Sequence, residues 1–257
     1  MYYGYFAYLA FMLPAFLLGI WAQILVKTRF NRFSKIASSR GLTGADAARE
    51  VLRAGGVYDV QINRVSGNLT DHYNPKTNSI SLSDSVYGST SVAAIGVAAH
   101  EAGHALQYAN GYSPIRLRMA ILPICNIGSM LGPLLIIIGC AISYSAMASA
   151  PEIGTALYAI GLVLFCTVAL FQLATLPVEL NASKRAVAAL EQGSVLNQNE
   201  LSGAKKVLTA AALTYVAALV TSIMQILYYA SRLDQGIKTT YNKLLVIKYP
   251  ATTYGKK

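Results

Sequence analysis

The sequence predicts an α-helical integral membrane protein with about four transmembrane helices and a small α+β part at the membrane surface. Three observations carry this. Of 257 residues, 54% are hydrophobic and only 12% are charged, about half the charged share of a soluble domain, and the mean hydropathy is +0.45. Four stretches, 5–26, 119–147, 153–176 and 207–230, are nearly free of formal charge, and about 20 apolar residues suffice to cross a hydrocarbon core. Between the first two lies a polar segment whose pattern alternates like strands before it turns helical.

Residues 1–26 are expected to be a retained anchor. No basic region precedes the apolar run, and Lys27, Thr28 and Arg29 follow it where cleavage would need small residues. Segment 27–118 starts with "KTRFNRFSKIASSRG", read as a basic juxtamembrane helix ending at Gly41. In "LTGADAAREVLRAGG", Thr43 and Asp46 have capping-box spacing. Ala47, Ala48, Val51 and Leu52 recur at helical intervals, and Gly55-Gly56 stops the helix. "VYDVQINRV" alternates like a strand and "SGN" turns the chain. "LTDHY" and "SISLS" follow as two strands joined by "NPKTN". These three strands are expected to form an antiparallel sheet. An Ala-rich helix over 90–109 ends near Asn110-Gly111.

Segment 119–176 reads as a transmembrane hairpin whose whole connection is Ala148 to Glu152. Its Gly128 and Gly132 form a small-xxx-small pair suited to close helix contact. Cys125, Cys140 and Cys166 fall inside apolar spans and read as packing residues. Segment 177–206 carries a separate helix, "VELNASKRAVAALEQG", and a connector. Residues 207–231 form the last transmembrane helix, and 232–257 a basic tail.

The net charge is +10. Four spans put both termini on one side, so 27–118 and 177–206 share the other. Those two segments hold 15 of the 21 Lys and Arg, many of them flanking spans, such as Lys27, Arg29, Arg116, Arg118, Lys184 and Lys205. The positive-inside rule places them in the cytoplasm; the six basic residues of the tail argue mildly the other way. The basic excess is read as topology and attraction to anionic lipid headgroups. With no binding motif and no aromatic-interleaved basic patch, nucleic acid is not expected as a partner.

"VAAHEAGHALQ", residues 97–107, holds two of the three histidines. In His100-Glu101-Ala102-Gly103-His104 the imidazoles are four apart and share one helix face. Their nitrogens can reach one metal ion, and zinc suits imidazole. Glu101, beside the first ligand, can serve as general base toward water on that metal. A solvated surface cluster is the bland alternative. The flanking Ala, Val, Gly and Leu speak against it, because buried unpaired charge is costly. A catalytic zinc takes three protein ligands as a rule, and no histidine follows His104. Among the later acids, Glu152 and Asp234 fall on the wrong side of the membrane in this topology. Glu191 and Glu200 sit in polar surroundings. Glu179, in "ATLPVELNASKRA", lies just after the third span in an apolar setting, and the hairpin returns it to the side of His100 and His104. The other reading of Glu179 is a helix N-terminal carboxylate favoured by the dipole. His72 stands at a strand edge that could bind a peptide backbone by strand addition. There it would stabilise an oxyanion or a ligand, or it is an exposed turn residue; it is not counted among the metal ligands.

The order of a span, "GLTGADAAREVL", "LTDHYNPKTNSISLS", "HEAGHALQYANGY", two spans, "LPVELNASKRA" and a last span resembles the YugP-like neutral zinc metallopeptidase family of bacteria, over roughly residues 1–232. More distantly the chain is similar to the HtpX-type membrane proteases, whose glutamate ligand opens a motif E-x-x-A-D. Here the sequence is Glu179-Leu-Asn-Ala182-Ser183, with Ser183 in place of the aspartate. The first histidine's orienter is then Asn181, Ser183 or a backbone carbonyl. The resemblance implies a zincin-like, gluzincin-type catalytic domain binding one Zn2+ and a bacterial inner-membrane location with the catalytic side cytoplasmic. It also implies a polypeptide substrate, membrane or membrane-proximal. An intramembrane protease with an aspartate ligand in a later span finds no candidate, since Asp234 is the only Asp beyond residue 84. A non-catalytic scaffold or adaptor that retains a zinc site is the alternative from another class; Glu101 argues against it, because a structural site needs no base. A homo-oligomer or a regulatory membrane partner stays open.

Overall fold

A computed structural model describes the backbone of residues 2–144 and 151–248. The order is α1 (Tyr2–Phe33), α2 (Gly44–Ala54), β1 (Gln61–Val65), β2 (His72–Asn74), β3 (Ser79–Ser83), α3 (Val92–Ala109), α4 (Ser113–Tyr144), α5 (Pro151–Gln192) and α6 (Gln198–Lys248). The protein is mostly helical. Among the described residues, four helical stretches are long and apolar enough to cross a membrane: Tyr8–Phe33, Ser113–Ser143, Glu152–Gln192 and Gln198–Leu233.

Two local expectations need correction. The basic segment after the first span is no separate helix. α1 runs on to Phe33, and the chain then pairs with the start of α3. Ser38 N–H donates to the Thr90 carbonyl at 2.9 Å and Val92 N–H to the Ile36 carbonyl at 2.9 Å. Those backbone groups serve tertiary bonds that a helix would have consumed. Nor does a new helix begin at 177. α5 is continuous across Pro177, at the cost of one backbone bond. With 42 residues it is roughly 60 Å long, about twice a hydrocarbon core. The tail is helical from 232 to Lys248 as the end of α6. Most of the connection expected between the second and third spans lies outside the described residues.

The sheet is mixed, not antiparallel. Its order is β1-β3-β2, with β1 parallel and β2 antiparallel to β3. All five residues of β3 are buried, so this strand takes the centre and pairs on both edges. "SGN" is therefore not a hairpin turn but part of a longer loop over 66–71. Asp71 fastens that loop, accepting from Ser83 N–H at 2.8 Å and from its hydroxyl at 2.9 Å. Gly67 and Leu69 take positive φ, +117° and +57°, a conformation glycine adopts freely and leucine rarely.

The chain forms two compact units. In Met1–Ala15, Ile121–Phe171 and Leu219–Lys257, α4 and α5 touch backbone to backbone. A Cβ added at Gly128 would stand 2.3 Å from the Leu164 carbonyl oxygen, and one at Gly161 2.7 Å from that of Gly132. The expected small-residue contact is present. The Tyr158 hydroxyl donates to the Tyr229 carbonyl at 3.0 Å. In Phe16–Ala120 and Gln172–Ala218, α2, the sheet and α3 share one apolar core with the nearby parts of α5 and α6. α2 is set by the expected capping box: Thr43 and Asp46 bond each other's backbone N–H. It buries Val51 and Leu52, each contributing about 1.5–3 kcal/mol. The Thr43 hydrogen bonds, with Arg49 beside them, hold the Asp46 carboxyl below its ordinary pKa despite partial desolvation.

Candidate metal centre

The site lies within the second unit and starts from α3. Ser91 caps the helix, its hydroxyl accepting from Ala94 N–H at 3.3 Å. Ala93, Ala94, Ala98, Ala99, Ala102 and Ala105 are buried, and such small side chains let neighbouring backbones come close. Closest is Gly103, where a Cβ would stand 2.4 Å from the Ala182 carbonyl oxygen of α5. One turn of α3 is thereby laid on one turn of α5, and His100 and His104 face Glu179.

His100 Nε2 is 3.1 Å and His104 Nε2 3.5 Å from Glu179 Oε2. One donor atom from each residue lies within 4.8 Å of the other two. The side chains are 15%, 11% and 4% exposed. The remaining polar atoms are held too. His100 Nδ1 is 3.0 Å from Ser183 Oγ, and His104 Nδ1 is 3.0 Å from Gln107 Oε1. Gln107 is fully buried and donates through Nε2 to the Val178 carbonyl at 2.7 Å and to Asn181 Oδ1 at 3.0 Å. Asn181 also accepts from Arg185 Nε at 2.8 Å. Arg118 Nη1 donates to Glu179 Oε1 at 2.9 Å.

These contacts sort the sequence candidates. His100, His104 and Glu179 converge. Ser183, not Asn181, stands against the first histidine, and Asn181 reaches the second only through Gln107. Glu179 lies deep inside continuous α5, far from its start at Pro151, so the helix N-terminal reading of this carboxylate is corrected. His72 sits on β2, with Nδ1 2.9 Å from the Thr70 carbonyl oxygen. It lines the cleft but is not among the converging three. Sequence reasoning missed Gln107, Arg118 and Tyr215. Gln107 had a readable signal, three residues after His104 on the same helical face. Arg118 had counted only as a topology charge.

A cleft of about 260 Å³ is lined by the three converging residues together with His72, Tyr73, Tyr108, Arg118 and Tyr215. A second cavity of about 200 Å³ reaches the same centre between Val97, Val207, Leu208, Ala211 and Phe30. Glu101 lines both. β2 pairs with β3 on one edge and borders the cleft.

The donor set fits a cation. Burial disfavours a charged His104, yet the Glu179 hydrogen bond and the Glu101 charge outweigh it, so its imidazole has a raised pKa. Two buried imidazoles and a carboxylate with one shared centre draw positive charge. Two nitrogens and one oxygen match the preferences of zinc, and three protein ligands leave a position open.

Four apolar helices of membrane-crossing length and a buried His-His-Glu donor set define the class, a membrane protein with a candidate metal centre. The family described as "Putative neutral zinc metallopeptidase" matches residues 8–234, and the chain belongs to it. The chain is 43% identical over 212 residues to a protein of Bacillus subtilis (strain 168) described as "Putative membrane protease YugP"; the match covers 82% of this chain and 90% of that relative. No solved structure matches it.

Proposed function

We propose that the protein is a zinc-dependent membrane endopeptidase with a gluzincin-type site, hydrolysing peptide bonds of membrane or membrane-proximal polypeptides. The observation that carries this is the convergence of His100, His104 and Glu179 within 4.8 Å beside a glutamate that lines the cleft. Under this reading His100, His104 and Glu179 hold one Zn2+, and the small α+β part is a zincin-like domain. Bound zinc supplies Lewis acidity, polarising a carbonyl and bringing the pKa of water toward about 7.

The protein's own residues do the rest. Glu101 takes the proton of the attacking water at its carboxylate and gives it to the leaving amine, so water adds across the C–N bond and no charge is left over. Ser183 and Gln107 fix the imidazole rings, as outer partners do for metal-binding histidines. The open edge of β2 takes the substrate backbone as an added strand, with His72 at the rim of the cleft. The basic residues around 27–118 and 177–206 favour a cytoplasmic site at a bacterial inner membrane.

Zinc content and proteolysis test this together. Purified protein should carry one zinc per chain, and His100→Ala should lose it. Glu101→Gln should keep the zinc and lose about 10²–10⁴-fold in cleavage rate. Wild-type proteolysis in Glu101→Gln would refute the mechanism; well-folded protein that binds no metal would refute the site.

A further inference from the structure

The two oxygens of Glu179 have different tasks. Oε2 faces the imidazoles, at 3.1 and 3.5 Å from His100 and His104 Nε2. Oε1 accepts from Arg118 Nη1 at 2.9 Å. The carboxylate is 4% exposed, so solvent does not compete for Oε1. Arg118 reaches it from α4 and is itself 27% exposed on the wall of the cleft.

We propose that Arg118 is a positioning residue that keeps Glu179 bound to the metal through Oε2 alone. This rests on the zinc-site reading above and adds a device to it. A carboxylate can offer a metal one oxygen or both. With both, Glu179 would add a fifth ligand beside the water and crowd the position that a catalytic zinc keeps for substrate. An arginine suits the task of withholding one oxygen. Its guanidinium is always charged, its N–H groups form a rigid fork, and its bond to a carboxylate is charge-assisted and directional. Ser183 and Gln107 are not placed to do this: each stands against an imidazole Nδ1, and the Gln107 amide N–H groups go to the Val178 carbonyl and Asn181.

Cobalt reports the number of ligands, because metal geometry is legible in its visible spectrum. The full chain in detergent micelles is stripped with a chelator and loaded with Co2+. Wild type should give the intense bands of a four-coordinate site. Arg118→Met should still bind one cobalt per chain but give the weaker bands of a five-coordinate site. Its kcat should fall by about tenfold or more with KM unchanged, and Arg118→Lys should recover part of both. Should Arg118→Met not fold, Arg118→Gln carries the same comparison. A variant spectrum that overlays wild type overturns the proposal. So does loss of cobalt from a folded variant, which would make Arg118 a holder of the ligand. So does a raised KM with kcat kept, which would make it a substrate contact. Wild type that takes up no metal would overturn the zinc reading itself and this inference with it, a result distinct from the other three.

Discussion

Helices α4 and α5 meet through Gly128, Gly132 and Gly161 in one unit, whereas α3 and α5 meet through Gly103 in the other. Both contacts are backbone on backbone. What they carry differs. Around Gly161 the neighbours are apolar and aromatic, with Ile136, Tyr158 and Phe165 buried together. Around Gly103 the same closeness holds a chain of polar atoms in register, from Ser183 and His100 through Glu179 to His104, Gln107 and Asn181. Van der Waals packing tolerates a shift of some tenths of an ångström with modest loss. Hydrogen-bond and ligand geometry does not, since both weaken steeply with distance and angle. Small residues thus serve packing in one region and the alignment of polar atoms in the other.

The strongest way to break this comparison is one methyl in each region. Gly103→Ala should push α3 off the Ala182 carbonyl, lowering zinc affinity by on the order of 100-fold, the upper range for lost support of a metal site. Gly161→Ala meets the Gly132 carbonyl at a similar distance. It should cost about 1–3 kcal/mol of stability and leave zinc affinity unchanged. Competitive chelator titration and thermal unfolding on both variants read the two quantities. Equal loss of zinc in both would dissolve the contrast.

The next test sharpens it inside the site. Gln107→Leu and Ser183→Ala should each weaken zinc binding, by about 10- to 100-fold at most. Gln107→Leu should be the worse, because Gln107 is fully buried and its loss leaves the Val178 carbonyl and Asn181 without its amide. A Ser183→Ala protein with the larger loss would reverse the ranking of the two supports.

The smallest effect concerns a feature remote from the candidate metal centre. Thr43→Ala removes the cap of α2 and should cost about 1 kcal/mol, with zinc affinity unchanged. The Asp46 half of that box has a pH signature. Its folded pKa is lowered from 3.8, so its contribution is present above the unfolded value and fades as pH falls through the folded one. The stability gap between wild type and Asp46→Asn should therefore close on acidification. A gap that widens instead would mean that Asp46 does not stabilise through its charged form.

Much of this was legible beforehand, for physical reasons. Apolar runs announce membrane helices because every span must satisfy its backbone polar groups internally and present apolar side chains to lipid. The capping box of α2, the ends of α3 and the hairpin turn of β2 and β3 depend on residues a few positions apart. The i and i+4 spacing of the histidines is likewise a local fact. Misreadings fell where a distant partner decided. "KTRFNRFSKIASSRG" has helical composition, but its backbone pairs with Thr90 and Val92. Pro177 reads as a break, yet α5 passes through it. The three strands alternate well, but only burial of β3 on both faces makes it central and the sheet mixed.

By itself, then, the sequence determined the apolar spans, α2 and α3, the paired histidines with Glu101 between them and the membership of Glu179 among a few candidate acids. Local periodicity and the cost of burying charge act along the chain, and a chain can be read for both. Tertiary structure alone decided which oxygen of Glu179 faces the imidazoles and which faces Arg118. It also decided that Ser183 stands against one ring and Gln107 against the other. Those assignments depend on the rotation and depth of α3 against α5, fixed by a carbonyl that leaves no room for a side chain at Gly103, and no spacing in the sequence encodes that distance.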